Sequence, residues 1–191
     1  MLERLLQWDR DTFMYLNGLG IEKFDVFWSI TTDISTWIPL FILFIVLLTL
    51  KFQKREALLR ICWVVVLALF ITLLTHLIKE WVARPRPNNE QEINTLIRIL
   101  KTPTDYSFFS GHASSSWSIT VLMFLFLRRK FKWALIFFTW PLLFCTSRIY
   151  VGVHYPLDIL MGAIVGIASG LLFYKWYDLL VKKYFDPTPN T

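Results

Sequence analysis

The sequence predicts an all-α protein, a polytopic transmembrane helical bundle of about five spans with an amphipathic helix at its N-terminus. Three observations carry this. The chain is 55% hydrophobic and 18% charged, where soluble domains run near 45–50% and about 25%. Its mean hydropathy is +0.50. The apolar excess is also gathered into long runs, and a span needs about 20 predominantly apolar residues.

Taken in order, Leu2, Leu5, Leu6, Phe13 and Leu16 recur at roughly helical spacing among charged residues. This suits a helix lying at the membrane interface and stopping at Asn17-Gly18. A sixth span is the alternative reading, disfavoured by its charges. Glu3, Arg4, Asp9, Arg10 and Asp11 also break any cleavable signal pattern. Phe24 to Trp37 followed by Ile38 to Leu50 makes the first span, and Ala57 to Ile78 the second. Gly111 to Leu127 makes the third, Trp133 to Cys145 the heart of the fourth, and Ile159 to Tyr174 that of the fifth. Together they use up most of the 191 residues. Residues 1–191 are therefore expected to form a single integral membrane domain, with Asp186-Pro-Thr-Pro-Asn-Thr as a short frayed tail. Cys62 and Cys145 both fall in apolar runs and are expected to be small packing residues.

The net charge of +6 does not point to nucleic acid, because the positive residues are divided among short loops. Lys51, Lys54, Arg55 and Arg60 lie between spans one and two, and Arg128, Arg129, Lys130 and Lys132 between spans three and four. Lys175, Lys182 and Lys183 follow span five. A five-span count places all of them on one side, which the positive-inside rule makes cytoplasmic. The acidic N-terminal segment then falls outside. So do the loop from Lys79 to Phe109 and the turn from Ser147 to Asp158. Trp133 and Trp176 suit the interfacial aromatic belts.

Those two outward segments hold the unusual polar residues. Lys79, Arg86 and Arg148 suit a dianionic phosphate, the arginines by forked, charge-assisted hydrogen bonds. Ser110 and Gly111 open a helix, where free amides and the dipole favour an anion. Pro156 suits the first position of a helix, so Asp158 falls in its first turn. From there it can fix the tautomer of His154 and support positive charge on it, while His112 is left to protonate a departing oxygen. Each piece has a plainer reading as snorkelling arginines, a helix cap, or a structural His–Asp pair. Their joint occurrence on one membrane face favours chemistry.

Together the motifs resemble the signature of the type 2 phosphatidic acid phosphatase superfamily, which includes bacterial lipid phosphatases and vanadium haloperoxidases. Lys79 to Arg86-Pro87 matches Lys-x6-Arg-Pro, which selects Arg86 over Arg84. Phe109-Ser110-Gly111-His112 matches Pro-Ser-Gly-His except at Phe109, and Ser147-Arg148, His154 and Asp158 match Ser-Arg-x5-His-x3-Asp. The resemblance covers residues 79–158. It implies that His154 is the nucleophile, forming a phosphohistidine, with Asp158 orienting it and His112 serving as acid and then base. It also implies that Lys79, Arg86, Ser110, Gly111 and Arg148 hold the phosphate. No cofactor and no metal are required, since the cations take magnesium's part.

The expected protein is thus a lipid phosphatase of a bacterial cytoplasmic membrane, with its site on the periplasmic or extracellular side. Undecaprenyl diphosphate is the favoured substrate, ahead of phosphatidylglycerol phosphate, phosphatidic acid or a lipid A phosphate. A transporter would carry its charges along a span rather than at span ends. A lipid-binding relative without activity would not need both histidines.

Overall fold

A computed structural model describes residues 1–185, with side chains as far as Val181. The tail expected at 186–191 lies outside the described residues. Among those described, the secondary structure is entirely helical: α1 (Leu2–Gly18), α2 (Asp25–Thr31), α3 (Ile38–Lys51), α4 (Lys54–Val82), α5 (Gly111–Leu127), α6 (Thr139–Tyr150) and α7 (Pro156–Phe185), with short 3-10 turns between some of them.

Among the described residues, three stretches are long and apolar enough to cross a membrane: Ile34–Lys51, Lys54–Asn89 and Pro156–Val181. Gly111–Leu127 and Ala134–Tyr150 are shorter apolar helices. They correspond to the five expected spans. Span one differs from expectation at its start, because Phe24 to Trp37 is not continuous with the helix that follows. The chain breaks at Asp33, which is extended (φ −86, ψ 130), and Pro39 opens the first turn of α3. The Trp37 indole closes the break by donating to the Thr31 carbonyl at 2.9 Å.

The α5–α7 pair forms the spine. Gly162, Gly166 and Gly170 lie four residues apart on the α7 face turned to α5. A Cβ on Gly166 would meet the Ser114 carbonyl oxygen at 2.5 Å, so only glycine permits this approach. Around the spine, Phe44, Leu67, Leu122, Met123, Phe126, Trp140, Phe144 and Phe173 build the core. The Trp63 indole ties α4 to α7 through the Phe173 carbonyl at 2.8 Å. Cys145 is buried, whereas Cys62 faces outward and is not a packing residue within the chain. Leu58, Leu69, Leu73, Leu160, Ile164 and Leu171 are exposed on the outer surface, as lipid-facing positions of an integral membrane protein must be.

The basic loops meet at one end of the bundle, where Lys130 Nζ donates to the Lys51 carbonyl at 3.0 Å. At the opposite end α4 stops at Ala83, which adopts the left-handed conformation (φ 49). Arg84 and Arg86 each precede a proline and so turn away from helix. On this same end lies α1, whose outward leucines suit an amphipathic helix at the membrane interface and whose inward stripe is largely polar. Its buried stripe is Asp9, Phe13 and Asn17, while Leu2, Leu5, Leu6 and Leu16 are exposed. Phe13 packs edge-on against Tyr155, and the Asn17 amide donates to the carbonyls of Arg98, Ile149 and Tyr150. Asn17 thus turns inward to backbone groups of the loop and of α6, and Asp9 to the Leu157 amide in the first turn of α7.

Candidate active site

Where α4 ends and α5 and α7 begin, a cavity of about 370 Å3 is lined by six of the eight expected site residues: Lys79, Arg86, Gly111, His112, Arg148 and His154. Asp158 stands behind His154. Ser110 takes the part of a helix cap, its hydroxyl accepting from Ala113 N at 3.4 Å, so the plainer of its two readings describes its side chain. The opening amides of α5, at Gly111 and His112, have no acceptor within the helix and remain suited to an anion. His112 packs against the Phe144 ring at 4.7 Å. It also lines a second cavity of about 470 Å3 that reaches Thr32, Asp33 and Lys101.

His154 is fully buried, as is Asp158. Arg86 Nη1 lies 3.0 Å from His154 Nε2. A guanidinium can only donate, so Nε2 must accept and carry the lone pair, leaving the ring proton on Nδ1. Burial and the charges of Arg86, Arg148 and Lys79 push the imidazole well below its ordinary pKa, which favours the neutral ring. The Nδ1 atom lies 3.5 Å from Asp158 Oδ2, beyond a good hydrogen bond. Ser107 fills this gap. Its hydroxyl is 3.4 Å from Nδ1 and donates a short bond to Asp158 Oδ2. Ser107 was not singled out from the sequence; its place two residues before Phe109 in the motif loop is the signal that could have found it.

The cations divide into two sets. Lys79 and Arg86 are already engaged by Asp105, at 2.6 Å and 2.8 Å, and Lys79 also donates to the Tyr106 carbonyl. Arg86 further donates to the carbonyls of Asp105 and Val153, at 2.8 and 2.9 Å. It therefore fastens the long loop to the His154 turn as well as facing the cavity. Burial raises the Asp105 carboxyl, but the Lys79 hydrogen bond and the Arg86 charge outweigh this and hold it below the usual carboxylate range. Arg148 differs. It is 5% exposed, donates from Nη1 to Thr32 Oγ1 at 2.5 Å, and leaves its Nε without a hydrogen-bond partner. Buried polar groups are nearly always paired, so an unfilled donor beside the cavity is set to receive an anion.

Arg84 is set aside by the motif spacing, yet it too is part of this structure. Its Nη1 donates to Asp158 Oδ1 at 2.8 Å and its Nη2 to Asp9 Oδ2 at 2.7 Å. Its guanidinium lies over the Tyr155 ring at 4.0 Å. Phe109, which occupies the place of the usual proline, is buried, and the peptide joining it to Phe108 is cis.

Comparison with known proteins matches residues 57–182 to the PAP2 superfamily. A lipid A 4'-phosphatase of Bacteroides thetaiotaomicron is 30% identical over 197 residues, covering 99% of this chain and 85% of that protein. An undecaprenyl-diphosphatase of Bacillus subtilis is 39% identical over 107 residues, covering 56% of this chain and 52% of that protein. Among solved structures, the transmembrane PAP2 type phosphatidylglycerolphosphate phosphatase from Bacillus subtilis superimposes with a TM-score of 0.74 over 95% of this chain and 89% of that one. At 21% identity this likeness is one of fold.

Proposed function

The chain belongs to the PAP2 superfamily, and on that premise we propose that it removes a terminal phosphate from a lipid headgroup through a phosphohistidine on His154. The observation that carries this reading is the buried Arg148 guanidinium with its unfilled Nε, lining the same cavity as the accepting Nε2 side of His154. An anion with several acceptor oxygens satisfies the first, and an electrophilic phosphorus the second.

In the first step the Nε2 lone pair bonds to phosphorus, the bond to the lipid oxygen breaks, and His112 gives that oxygen its proton. The ring then carries both the phosphoryl group and the Nδ1 proton, and its positive charge is supported by Asp158 through their approach and through Ser107. Arg86 must turn from Nε2 to a phosphoryl oxygen for the attack to occur. Lys79, Arg148 and the first amides of α5, at Gly111 and His112, receive the remaining charge. In the second step His112 takes a proton from water, the oxygen attacks phosphorus, and the N–P bond breaks to release inorganic phosphate and neutral His154.

A lipid A phosphate is the substrate best supported, because the Bacteroides relative aligns along nearly the whole chain, including α1 and the long loop that faces the cavity. Undecaprenyl diphosphate, favoured on sequence grounds, is the second reading. It rests on the higher identity of the shorter Bacillus match. Residues 1–191 act in this reading as one domain of a bacterial cytoplasmic membrane, with the motif region at 79–158 on the periplasmic or extracellular side.

The test is phosphate release in detergent with EDTA present, comparing lipid A, undecaprenyl diphosphate, phosphatidylglycerol phosphate and phosphatidic acid. Lipid A is expected to give the highest kcat/KM, and His154→Ala to give no turnover above background. Wild-type turnover by His154→Ala would remove the phosphohistidine route, and a preference for undecaprenyl diphosphate would replace the first substrate by the second.

A further inference from the structure

Asp9 is an anomaly in its helix. It is an acidic residue on an amphipathic segment, yet it is 0% exposed. Its two oxygens have different tasks. Oδ1 accepts from the backbone N–H of Leu157 at 2.8 Å, one of the free amides at the start of α7. Oδ2 accepts from Arg84 Nη2 at 2.7 Å. The other arm of Arg84 reaches Asp158 Oδ1 at 2.8 Å, while Asp158 Oδ2 accepts from Tyr155 N at 3.0 Å and from Ser107. Both carboxylate oxygens of Asp158 are thereby engaged, with Oδ2 turned toward the His154 imidazole.

We propose that Asp9 and Arg84 are positioning residues for phosphoryl transfer, with Asp9 on the N-terminal helix holding Arg84 in a two-carboxylate bridge that sets the orientation and charge of Asp158 behind His154. This rests on the reading of His154 as nucleophile. An Arg84–Asp158 pair alone is electrically neutral, and a free guanidinium would close as a fork on both Asp158 oxygens. Asp9 engages one arm, so Arg84 can reach only Oδ1. With both carboxylates ionised the three groups carry one net negative charge. That charge lies on the side of His154 away from the cavity, where it stabilises the cationic phosphohistidine. The low dielectric of a buried site makes such a charge count. The N-terminal helix thus completes the reaction centre from outside the motif region at 79–158.

The experiment uses the full-length protein in detergent, with kcat, KM, the pH profile of kcat/KM and thermal unfolding measured on its best lipid phosphate substrate. The charged groups that bear on the profile are Arg86, Arg148, Lys79 and Asp105 facing His154, and Asp9, Asp158 and Tyr155 facing Arg84. Asp9→Asn keeps the size and the acceptor for Leu157 but removes the charge. It is expected to lower kcat about 10- to 100-fold, the range for residues that orient a reacting group through another, with KM within about twofold. The acid limb should move to lower pH, because a less negative surrounding makes the imidazole harder to protonate. Asp9→Glu, which keeps the charge, should recover most of the kcat and return the limb. An unchanged kcat and limb in Asp9→Asn would overturn the proposal. So would a loss that follows thermal stability alone, with Asp9→Glu no better. Should Asp9→Asn fail to yield monodisperse protein, Arg84→Lys decides: it keeps the positive charge but cannot span both carboxylates, so the same kcat-selective loss is expected and wild-type kcat overturns the idea. Full turnover by His154→Ala in the same assay would instead remove the nucleophile reading, an outcome separate from those of the Asp9 variants.

Discussion

The carboxylate of Asp105 rests 2.6 Å from the Lys79 ammonium, on a cation of the proposed phosphate site. It also pairs with Arg86 at 2.8 Å. In the proposed site, phosphate therefore competes with a carboxylate of the protein for two of three cations. A half-exposed pair of this kind is worth about 1 kcal/mol. Asp105→Asn is thus expected to lower the inhibition constant for inorganic phosphate about 3- to 10-fold. A higher inhibition constant in the variant would show that Asp105 aids anion binding, by ordering Lys79 and Arg86.

Arg148 presents the opposite case, a buried cation with no carboxylate in salt-bridge contact among the described residues. Burying an uncompensated charge costs stability, and active sites accept such costs for function. Arg148→Met is therefore expected to leave the midpoint of thermal unfolding in detergent equal to or above wild type. Its kcat/KM should fall by about 100-fold or more, as for loss of a donor to transition-state charge. A marked drop in the midpoint would show that the Thr32 contact holds the fold.

The depressed pKa of His154 has a consequence for stability. In the folded protein the ring titrates well below 6.5, whereas in the unfolded chain it titrates near that value, about 6.5. Between these two values the unfolded chain binds the additional proton. The contribution of neutral His154 is thus complete above about pH 6.5 and declines as pH falls below it, by up to about 1.4 kcal/mol per pH unit. Thermal unfolding of wild type and His154→Gln from pH 7.5 to pH 5 checks this. The wild-type midpoint should fall more steeply; parallel curves would mean that the folded ring protonates as readily as the unfolded one.

The sidedness argued from loop charges can be tested without any activity. Thr95 is exposed in the long loop. Thr95→Cys, in a Cys62→Ala, Cys145→Ala background, is expected to react with a membrane-impermeant thiol reagent in intact cells. Labelling only after lysis would place the loop and the site on the cytoplasmic side.

Much of this protein was legible in its residues. Ala57 to Ile78 and Gly111 to Leu127 read as spans because lipid demands long apolar helices with every backbone group paired internally, and α4 and α5 follow. The motif spacing named His112, His154, Lys79, Arg86 and Arg148, and one cavity brings them together. The break at Asp33 was less legible, because Phe24 to Trp37 is apolar enough to continue a helix. The inward face of α1 was not legible at all. Hydrophobic spacing marked the lipid-facing leucines but gave no sign that Asp9 and Asn17 turn inward to backbone groups at Leu157, Arg98, Ile149 and Tyr150. Gly162, Gly166 and Gly170 were readable in principle, since small residues four apart mark close helix contact.

Sequence by itself determined the helical class, the spans, the gathering of polar residues at one end, and which of them the proposed chemistry uses. These follow from local composition and from motifs whose members are few residues apart. Tertiary structure decided how the charges are shared: Asp105 on Lys79 and Arg86, Ser107 between His154 and Asp158, Arg84 bridging Asp158 and Asp9. Each of these contacts joins residues that no periodicity relates. An ion pair or a hydrogen bond depends on approach to within about 3 Å, and only the packing of α1, α4, α5 and α7 and the loop between α4 and α5 sets that distance.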